Sequence, residues 1–140
     1  MDVLEAIHTR RSIRAYQDQP VPKELVQQIL TAAMYAPSAG NAQPWQFVVI
    51  NDRKLLQQIP KVHPHAPMAE QAPLAIMVCG DLDMEKYPGN WPLDCAAAVE
   101  NLLLAAEPPP VAPSGWASEA RLIGGGSHRE ERAGRRRGRP

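Results

Sequence analysis

The sequence predicts an α+β domain in which helices flank a small sheet. Apolar residues recur at helical spacing in two stretches, residues 23–36 and 92–106. Two short runs, 45–50 and 74–79, are apolar and rich in β-branched residues, as strands commonly are. The order helix, helix, strand, helix, strand, helix also fits α/β layers, and two strands alone do not complete a sheet.

The N-terminal third is predicted to hold two helices joined by an extended segment. Asp2 is expected to cap a short helix that ends near Thr9. Residues 10–16 should then be extended and basic. The second helix is amphipathic and is predicted from Lys23 to Ala36, because helices tend to end before a proline such as Pro37.

The middle of the chain is predicted to alternate strands with less regular structure. Trp45 to Ile50 is the first strand, and Asp52 is expected to cap a helix that runs through Ile59. Residues 60–73 contain four prolines and should form an irregular excursion. Leu74 to Cys79 is the second strand.

The last predicted helix, residues 92–106, is apolar almost all round. Asp94, Glu100 and Asn101 are its exceptions. Such a helix needs burial on most sides, so another part of the domain or a second subunit should cover it. The side that we expect to be buried carries Ala96, Val99, Leu102, Leu103 and Ala106.

The net charge of zero hides a division of the chain near Glu107. Residues 1–107 carry 8 Lys/Arg against 12 Asp/Glu, whereas residues 108–140 carry 7 Arg against 3 Glu. The second part also holds 5 of the 15 prolines and 6 of the 9 glycines. The sequence therefore predicts a domain over residues 1–106 and a disordered tail over residues 107–140.

The location of the protein is predicted from its N-terminus and its cysteines. The first residues lack the basic start of a signal peptide, and no apolar run is long enough to cross a bilayer. Cys79 and Cys95 lie in apolar surroundings without a paired motif, so we expect buried free thiols rather than a disulfide or a metal site. These features indicate the cytoplasm.

Residues 10–14, Arg-Arg-Ser-Ile-Arg, form a candidate phosphate-binding segment. Guanidinium groups bind phosphate oxygens through two hydrogen bonds, and a serine hydroxyl adds a further donor. In an extended segment Arg10, Ser12 and Arg14 would point the same way. The alternative is a solvated basic turn.

The loop of residues 37–44, Pro-Ser-Ala-Gly-Asn-Ala-Gln-Pro, is a second candidate. Small residues allow a ligand to approach the backbone closely, and exposed N–H groups could face a flat heteroaromatic ring. The alternative is a plain connection between helix and strand.

Other candidates are weaker. His63 and His65 lack a third ligand nearby, so a metal site is not expected. Tyr87 and Trp91 could line a substrate pocket, although packing is the commoner role.

These motifs occur in an order that resembles the nitroreductase family of FMN-dependent enzymes. The resemblance rests on Arg-Arg-Ser-Ile-Arg-Ala-Tyr at residues 10–16, on Ala-Pro-Ser-Ala-Gly-Asn-Ala-Gln-Pro-Trp from residue 36, and on the apolar helix from Asp94. It implies a nitroreductase-like α+β fold, normally an intertwined homodimer with shared FMN sites. The long helix from Asp94 would lie at the dimer interface.

The resemblance also implies site residues and a reaction. A hydride would pass from NAD(P)H through FMN to a nitroaromatic, a quinone or a similar acceptor, and no side chain would act as a nucleophile. Neither a membrane nor a nucleic acid is an expected partner. Residues near the FMN phosphate, ribityl chain or ring edge correspond here to Arg10, Arg11, Ser12 and Arg14. The loop that the other subunit places against the flavin corresponds to Pro37, Ser38, Ala39, Asn41 and Gln43.

The resemblance ends after Ala106, where the family continues with further strands and helices. The Pro/Gly/Arg-rich composition of residues 107–140 suits neither a strand nor a packed helix. We interpret this part as a non-family tail, produced by a reading-frame shift in place of the family's C-terminal part. The alternative is a natural, disordered and basic extension. The alternative function is a flavin-binding or dimerisation module of the same family without turnover.

Overall fold

The computed structural model describes residues 2–106. The predictions for residues 107–140, a disordered tail or a frame-shifted segment, lie outside the described residues. The helices are α1 (Val3–Thr9), α2 (Lys23–Met34), α3 (Arg53–Leu56), α4 (Ile59–Val62) and α5 (Trp91–Ala105). The strands are β1 (Trp45–Ile50) and β2 (Ala75–Gly80), and two 3₁₀ turns span Ala39–Asn41 and Pro67–Gln71.

The strands β1 and β2 pair antiparallel, from Trp45 opposite Gly80 to Ile50 opposite Ala75. Because side chains alternate along a strand, Trp45 and Val78 face the same side, where both belong to the hydrophobic core. A two-stranded sheet is marginal by itself, so its packing against α5 stabilises it.

The core forms where α2 and α5 cross beside the sheet. Ala33 of α2 and Ala98 of α5 are fully buried, and such small side chains let two helices approach closely. The Asn101 Nδ2 atom donates a hydrogen bond of 3.1 Å to the Ala32 carbonyl, which links the same two helices. The core comprises Ile29, Ala33, Ala36, Trp45, Val78, Cys95, Ala98, Val99 and Leu102.

The buried face of α5 differs in part from the predicted one. Val99 and Leu102 are buried as expected, but Ala96 is exposed. The fully buried residues of this helix include Cys95 and Ala98 instead, because α2 and the sheet both pack on that side. The prediction for Ala96 was therefore wrong, and the helix lies rotated from the predicted orientation.

The single helix predicted from Asp52 to Ile59 was also wrong. The side chain of Asp52 caps α3 as expected, accepting from Lys54 N at 2.8 Å and from Leu55 N at 3.1 Å. The helix ends after one turn, and α4 begins afresh with Pro60 in its first turn. A proline has no N–H to donate to the preceding turn, which explains why one helix does not continue through it.

The segment of residues 60–73 is less irregular than predicted, since it holds most of α4 and the turn Pro67–Gln71. Helix α1 forms as predicted, with the Asp2 side chain accepting from Leu4 N at 3.4 Å. None of its residues is buried, and Val3, Leu4 and Ile7 keep half or more of their surface exposed.

Candidate functional site

The basic segment, residues 10–14, has neither helical nor strand structure and follows α1 directly. The Nη1 atom of Arg11 donates to the carbonyls of His8 at 3.1 Å and Arg10 at 2.9 Å, so this side chain helps to shape the turn. Arg11, Ser12 and Arg14 are exposed. The segment therefore presents cationic and hydroxyl groups at the surface of the single chain.

Arg10 joins the basic segment to α5. Its Nε atom lies 3.4 Å from Glu100 Oε1, an ion pair in which the Nε atom has no hydrogen bond although it is buried. The two side chains keep 31% and 50% of their surface exposed, so solvent screens the pair and its contribution to stability is small. The contact fixes where the segment lies rather than how stable the fold is.

The flavin loop, our name for residues 37–44, is a tight structure rather than a plain connection. Gly40, Asn41 and Gln43 have φ angles of 60°, 54° and 49°. For a residue other than glycine, the left-handed region costs about 1–2 kcal/mol. Asparagine tolerates this region, so the strain falls mainly on Gln43, whose surroundings impose it, and such backbone strain is common at functional sites.

Four backbone N–H groups of the flavin loop, those of Ala39, Asn41, Ala42 and Gln43, donate hydrogen bonds within the chain. Ser38 Oγ accepts from Gln43 N at 3.0 Å, and the carbonyls of Ser38 and Ala39 accept from Asn41 N and Ala42 N. Ala39 N donates to Asp94 Oδ1 at 2.9 Å. The prediction that exposed N–H groups of this loop face a ring was therefore wrong for the N–H groups of Ala39, Asn41, Ala42 and Gln43.

Asp94 anchors the flavin loop to the start of α5. It is the buried charged residue of the described chain, with 6% of its surface exposed. A carboxylate in the first turn of a helix is stabilised by the helix dipole, and its hydrogen bond to Ala39 N compensates further for the loss of solvent.

A second segment, residues 81–90, lies over the flavin loop. Lys86 Nζ donates to the Gly40 carbonyl at 2.6 Å. A Cβ atom at Gly40 would lie 2.8 Å from the Tyr87 ring, so this close approach requires glycine. Glu85 Oε1 accepts from Gly89 N at 2.6 Å and from Trp91 N at 3.0 Å, which holds the segment against the start of α5.

Three residues of the site, Glu85, Lys86 and Asp94, were not predicted from the sequence to have a role in it. One signal could have found Asp94: it is one of three polar residues in an otherwise apolar helix. Each of the three contacts a different part of the chain, Asp94 the flavin loop, Glu100 the basic segment and Asn101 helix α2. No comparable pattern marks Glu85 or Lys86, which lie among other charged residues.

Within one chain, α5 carries the two predicted parts of the site at different places. Asp94 holds the flavin loop and Glu100 contacts the basic segment. At 3.6 residues per turn and 1.5 Å per residue, these positions lie about 9 Å apart along the helix and about 120° apart around it. Asp94 and Glu100 therefore hold the two parts at different places around α5.

Among residues 2–106, no cluster of His, Cys, Asp or Glu has the arrangement of a metal site. The rings of His63 and His65 lie edge to face, with centroids 6.0 Å apart. Trp91 packs on Gly80, while Tyr87 covers Gly40 and keeps 56% of its surface exposed. Within that range no helix has the length and apolar character needed to span a membrane.

Both cysteines are free thiols, as predicted, but only Cys95 is buried and Cys79 is partly exposed. Cys95 is fully buried, and its Sγ atom donates to the Cys79 carbonyl at 3.8 Å. Burial, and then the negative charge of Asp94 and the neighbouring Cys79, raise the pKa of the Cys95 thiol from 9.0 to about 11. Because the thiolate is the reactive form, Cys95 is a structural residue.

Comparison with known proteins gives a consistent result. The sequence profile of the nitroreductase family matches residues 7–108. A Methanothermobacter thermautotrophicus protein, provisionally named NADH dehydrogenase/NAD(P)H nitroreductase, is 57% identical over 106 residues, or 76% of this chain and 56% of the relative. An FMN reductase (NAD(P)H) of Bacillus subtilis is 28% identical over 109 residues, or 75% of this chain and 44% of the relative.

A solved structure gives the same relationship. A provisionally named nitroreductase of Desulfovibrio desulfuricans, crystallised in complex with FMN, superposes with a TM-score of 0.69 at 36% identity. The superposition covers 76% of this chain and 62% of that structure. The chain thus covers between 44% and 62% of the length of these proteins, and the part that matches the family profile, residues 7–108, contains both candidate segments.

Proposed function

The chain belongs to the nitroreductase family, and from this premise we propose that it forms the FMN site of an oxidoreductase. The enzyme would pass a hydride from NAD(P)H through the flavin to a nitroaromatic, a quinone or a similar acceptor. One observation carries the proposal: α5 holds both the strained flavin loop, through Asp94, and the basic segment, through Glu100. The relatives named FMN reductase and crystallised with FMN support the choice of cofactor.

The basic segment suits the FMN phosphate. The guanidinium groups of Arg10, Arg11 and Arg14 and the hydroxyl of Ser12 lie within five consecutive residues. The Nε atom of Arg10 is buried against Glu100, and this ion pair holds the segment so that its exposed cations, Arg11 and Arg14, lie at the surface. We assign Arg10 and Ser12 to the phosphate and ribityl chain, and Arg11 to shaping the turn beside them.

Arg14 is our candidate for the ring edge. Reduction of the flavin adds negative charge to its pyrimidine side, and a guanidinium group there would stabilise that charge. A cation that stabilises the reduced form raises the reduction potential of the bound cofactor. Arg14 would thereby assist the transfer of hydride from NAD(P)H without taking part as an acid or a base.

The flavin loop suits the ring itself. Its own hydrogen bonds and Asp94 fix the backbone before any ligand arrives, so little conformational entropy is lost on binding. Pro37 and Ala39 would contact the ring, while Ser38, Asn41 and Gln43 would supply the polar contacts. FMN, when bound, accepts a hydride at its ring and passes it on, and the protein supplies orientation and exclusion of water.

We propose a homodimer in which each FMN site takes its two parts from different chains. The positions of Asp94 and Glu100, about 120° apart around α5, support this arrangement, because one chain then presents its two parts in different directions. The exposed apolar residues Val3, Leu4 and Leu93 also support burial in an interface. A cytoplasmic location is supported by the free thiols of Cys79 and Cys95.

The test of the proposed reaction is NADH or NADPH oxidation by the full 140-residue chain with added FMN and either p-nitrobenzoate or a benzoquinone. We expect acceptor-dependent turnover with ping-pong kinetics, and a loss of about tenfold or more in kcat/KM for Arg14→Ala. Retained FMN without oxidation of either nucleotide would instead indicate a flavin-binding module without turnover. A folded chain that neither holds FMN nor oxidises NAD(P)H would contradict the proposal.

A further inference from the structure

The flavin loop holds its strained backbone through a small number of contacts, and a buried side chain from outside the loop makes one of them. Asn41 and Gln43 lie in the left-handed region next to Gly40. Within the loop, Ser38 supplies the acceptors for Asn41 N and Gln43 N. These bonds close the turn on itself, but they do not fix where the turn lies relative to the rest of the fold.

We propose that Asp94 is the positioning residue of the flavin site, and that it fixes the turn at residues 38–43 through its hydrogen bond from Ala39 N. The contact joins residues 55 positions apart in the sequence, so it places the loop against α5 rather than shaping it locally. The inference rests on the proposed function in so far as the positioned loop is a flavin site.

The surroundings of Asp94 explain why a carboxylate serves here. The residue is 6% exposed and lies in the first turn of α5, where the helix dipole favours a negative charge. A hydrogen bond to a charged acceptor is roughly twice as strong as one to a neutral acceptor. Asparagine would keep an oxygen acceptor without the charge, and alanine would leave Ala39 N without its partner.

The opposite side of the turn is held more weakly. Lys86 Nζ donates to the Gly40 carbonyl at 2.6 Å, but Lys86 is exposed and its long side chain is flexible. Water can replace an exposed donor of this kind at small cost. We therefore assign the main positioning role to Asp94, because water cannot readily replace a buried acceptor.

The experiment compares Asp94→Ala and Asp94→Asn with wild type in the full-length chain. The first readout is the hydrogen-exchange rate of the Ala39 amide without FMN, and the second is the Kd for FMN from quenching of flavin fluorescence. Asp94→Ala should speed exchange at Ala39 and raise the Kd, each by about tenfold or more, as expected for loss of a hydrogen bond to a charged group. Asp94→Asn should lie between wild type and Asp94→Ala in both readouts.

Asp52→Ala is the matched control. Asp52 also accepts hydrogen bonds from backbone N–H groups, those of Lys54 and Leu55, but it caps α3 and does not contact the loop. This variant should speed exchange at Lys54 and Leu55 while it leaves Ala39 exchange and FMN binding at wild-type values. A general loss of stability would instead raise exchange at Ala39 in the control as well, and this would overturn the inference.

The two readouts separate the inference from the proposed function. Unchanged Ala39 exchange in both Asp94 variants would overturn the positioning role even if FMN binds. If wild type holds no FMN, the proposed function fails, and the Ala39 exchange rate still decides whether Asp94 holds the turn. Should Asp94→Ala not fold, Asp94→Asn gives the decision by itself: a rise of about twofold to fivefold at Ala39 supports the role, and no rise overturns it.

Discussion

The polar residues of α5 act as separate attachment points for the parts of the chain around the helix. Asp94, Glu100 and Asn101 each contact a different segment. Their polarity is visible in the sequence, because the rest of the helix is apolar. Their hydrogen-bond and ion-pair partners cannot be identified from the sequence, because a carboxylate or an amide side chain can bind many different groups. Only the fold decides which of these groups lies within reach.

Gly80 at the end of β2 gives a direct test of local packing. A methyl group on Gly80 would lie 2.7 Å from Trp91 Cδ2, so Gly80→Ala forces the indole ring away from the strand. We expect a loss of about 1–3 kcal/mol in the free energy of unfolding, the usual cost of overpacking. Denaturant unfolding measures this loss. In the double variant Gly80→Ala/Trp91→Ala the glycine substitution should cost much less, and equal costs in both backgrounds would refute the contact.

The buried thiol of Cys95 gives a prediction of pH dependence. Its pKa is raised in the folded chain, first by burial, from 9.0 to about 11. The folded state therefore binds this proton more tightly than the unfolded state, so the contribution to stability is full below pH 9 and is lost as the pH rises through about 11. The free energy of unfolding should fall more steeply between these values in wild type than in Cys95→Ala. Parallel curves would contradict the prediction.

At the scale of elements, residue patterns predicted the strands and the longer helices. They did not always predict where a helix ends or which of its faces is buried. The strand Trp45–Ile50 formed as predicted because five of its six residues are aromatic or β-branched and it follows a clear loop. The helix predicted from Asp52 to Ile59 ended already at Leu56, because Pro60 has no N–H to donate to the Leu56 carbonyl. Ala96 was placed on the wrong face of α5 because an almost uniformly apolar helix carries little information about its rotation.

The candidate site, like the secondary structure, could be predicted in part from the sequence. The basic segment and the flavin loop could be found from their residue types and from the family resemblance. The left-handed backbone at Asn41 and Gln43 could not be predicted from the sequence, and neither could the hydrogen bonds that the loop's N–H groups donate. Both depend on contacts with α5 and on the exact path of the backbone.

The packing of α2 on α5 can be tested with a matched pair of substitutions. Ala33 is fully buried against α5, so Ala33→Leu should lower the free energy of unfolding by about 1–3 kcal/mol or more. Gln28 lies exposed on the same helix, and Gln28→Leu should change stability by no more than about 0.5 kcal/mol. Denaturant unfolding of both variants checks the prediction, and similar costs would mean that the helix packs through another face.

At the scale of the whole molecule, the proposed homodimer accounts for apolar surface that a single chain leaves exposed. Leu93 on α5 keeps 70% of its surface exposed although the helix is otherwise a core element. Val62 is even more exposed, at 81%, but lies on the short helix α4. Because the proposed interface lies on α5, Leu93 is the test position and Val62, an exposed apolar residue of a different helix, is the comparison.

Leu93→Lys should weaken self-association about tenfold or more, because it places a charge in a buried contact between chains. Val62→Lys should leave the association unchanged. Sedimentation equilibrium of both variants and wild type measures the effect. A monomeric wild type, or equal association of the two variants, would count against the proposed interface on α5.

The central claim is that this chain carries an FMN site built from the basic segment and the flavin loop. The most direct measurement is the visible absorption spectrum of the purified 140-residue protein after incubation with FMN and desalting. We expect a retained flavin band of about one FMN per chain for wild type and a strongly reduced band for Arg10→Ala/Arg14→Ala. A folded wild-type chain that retains no flavin, or a double variant that retains as much as wild type, would contradict it.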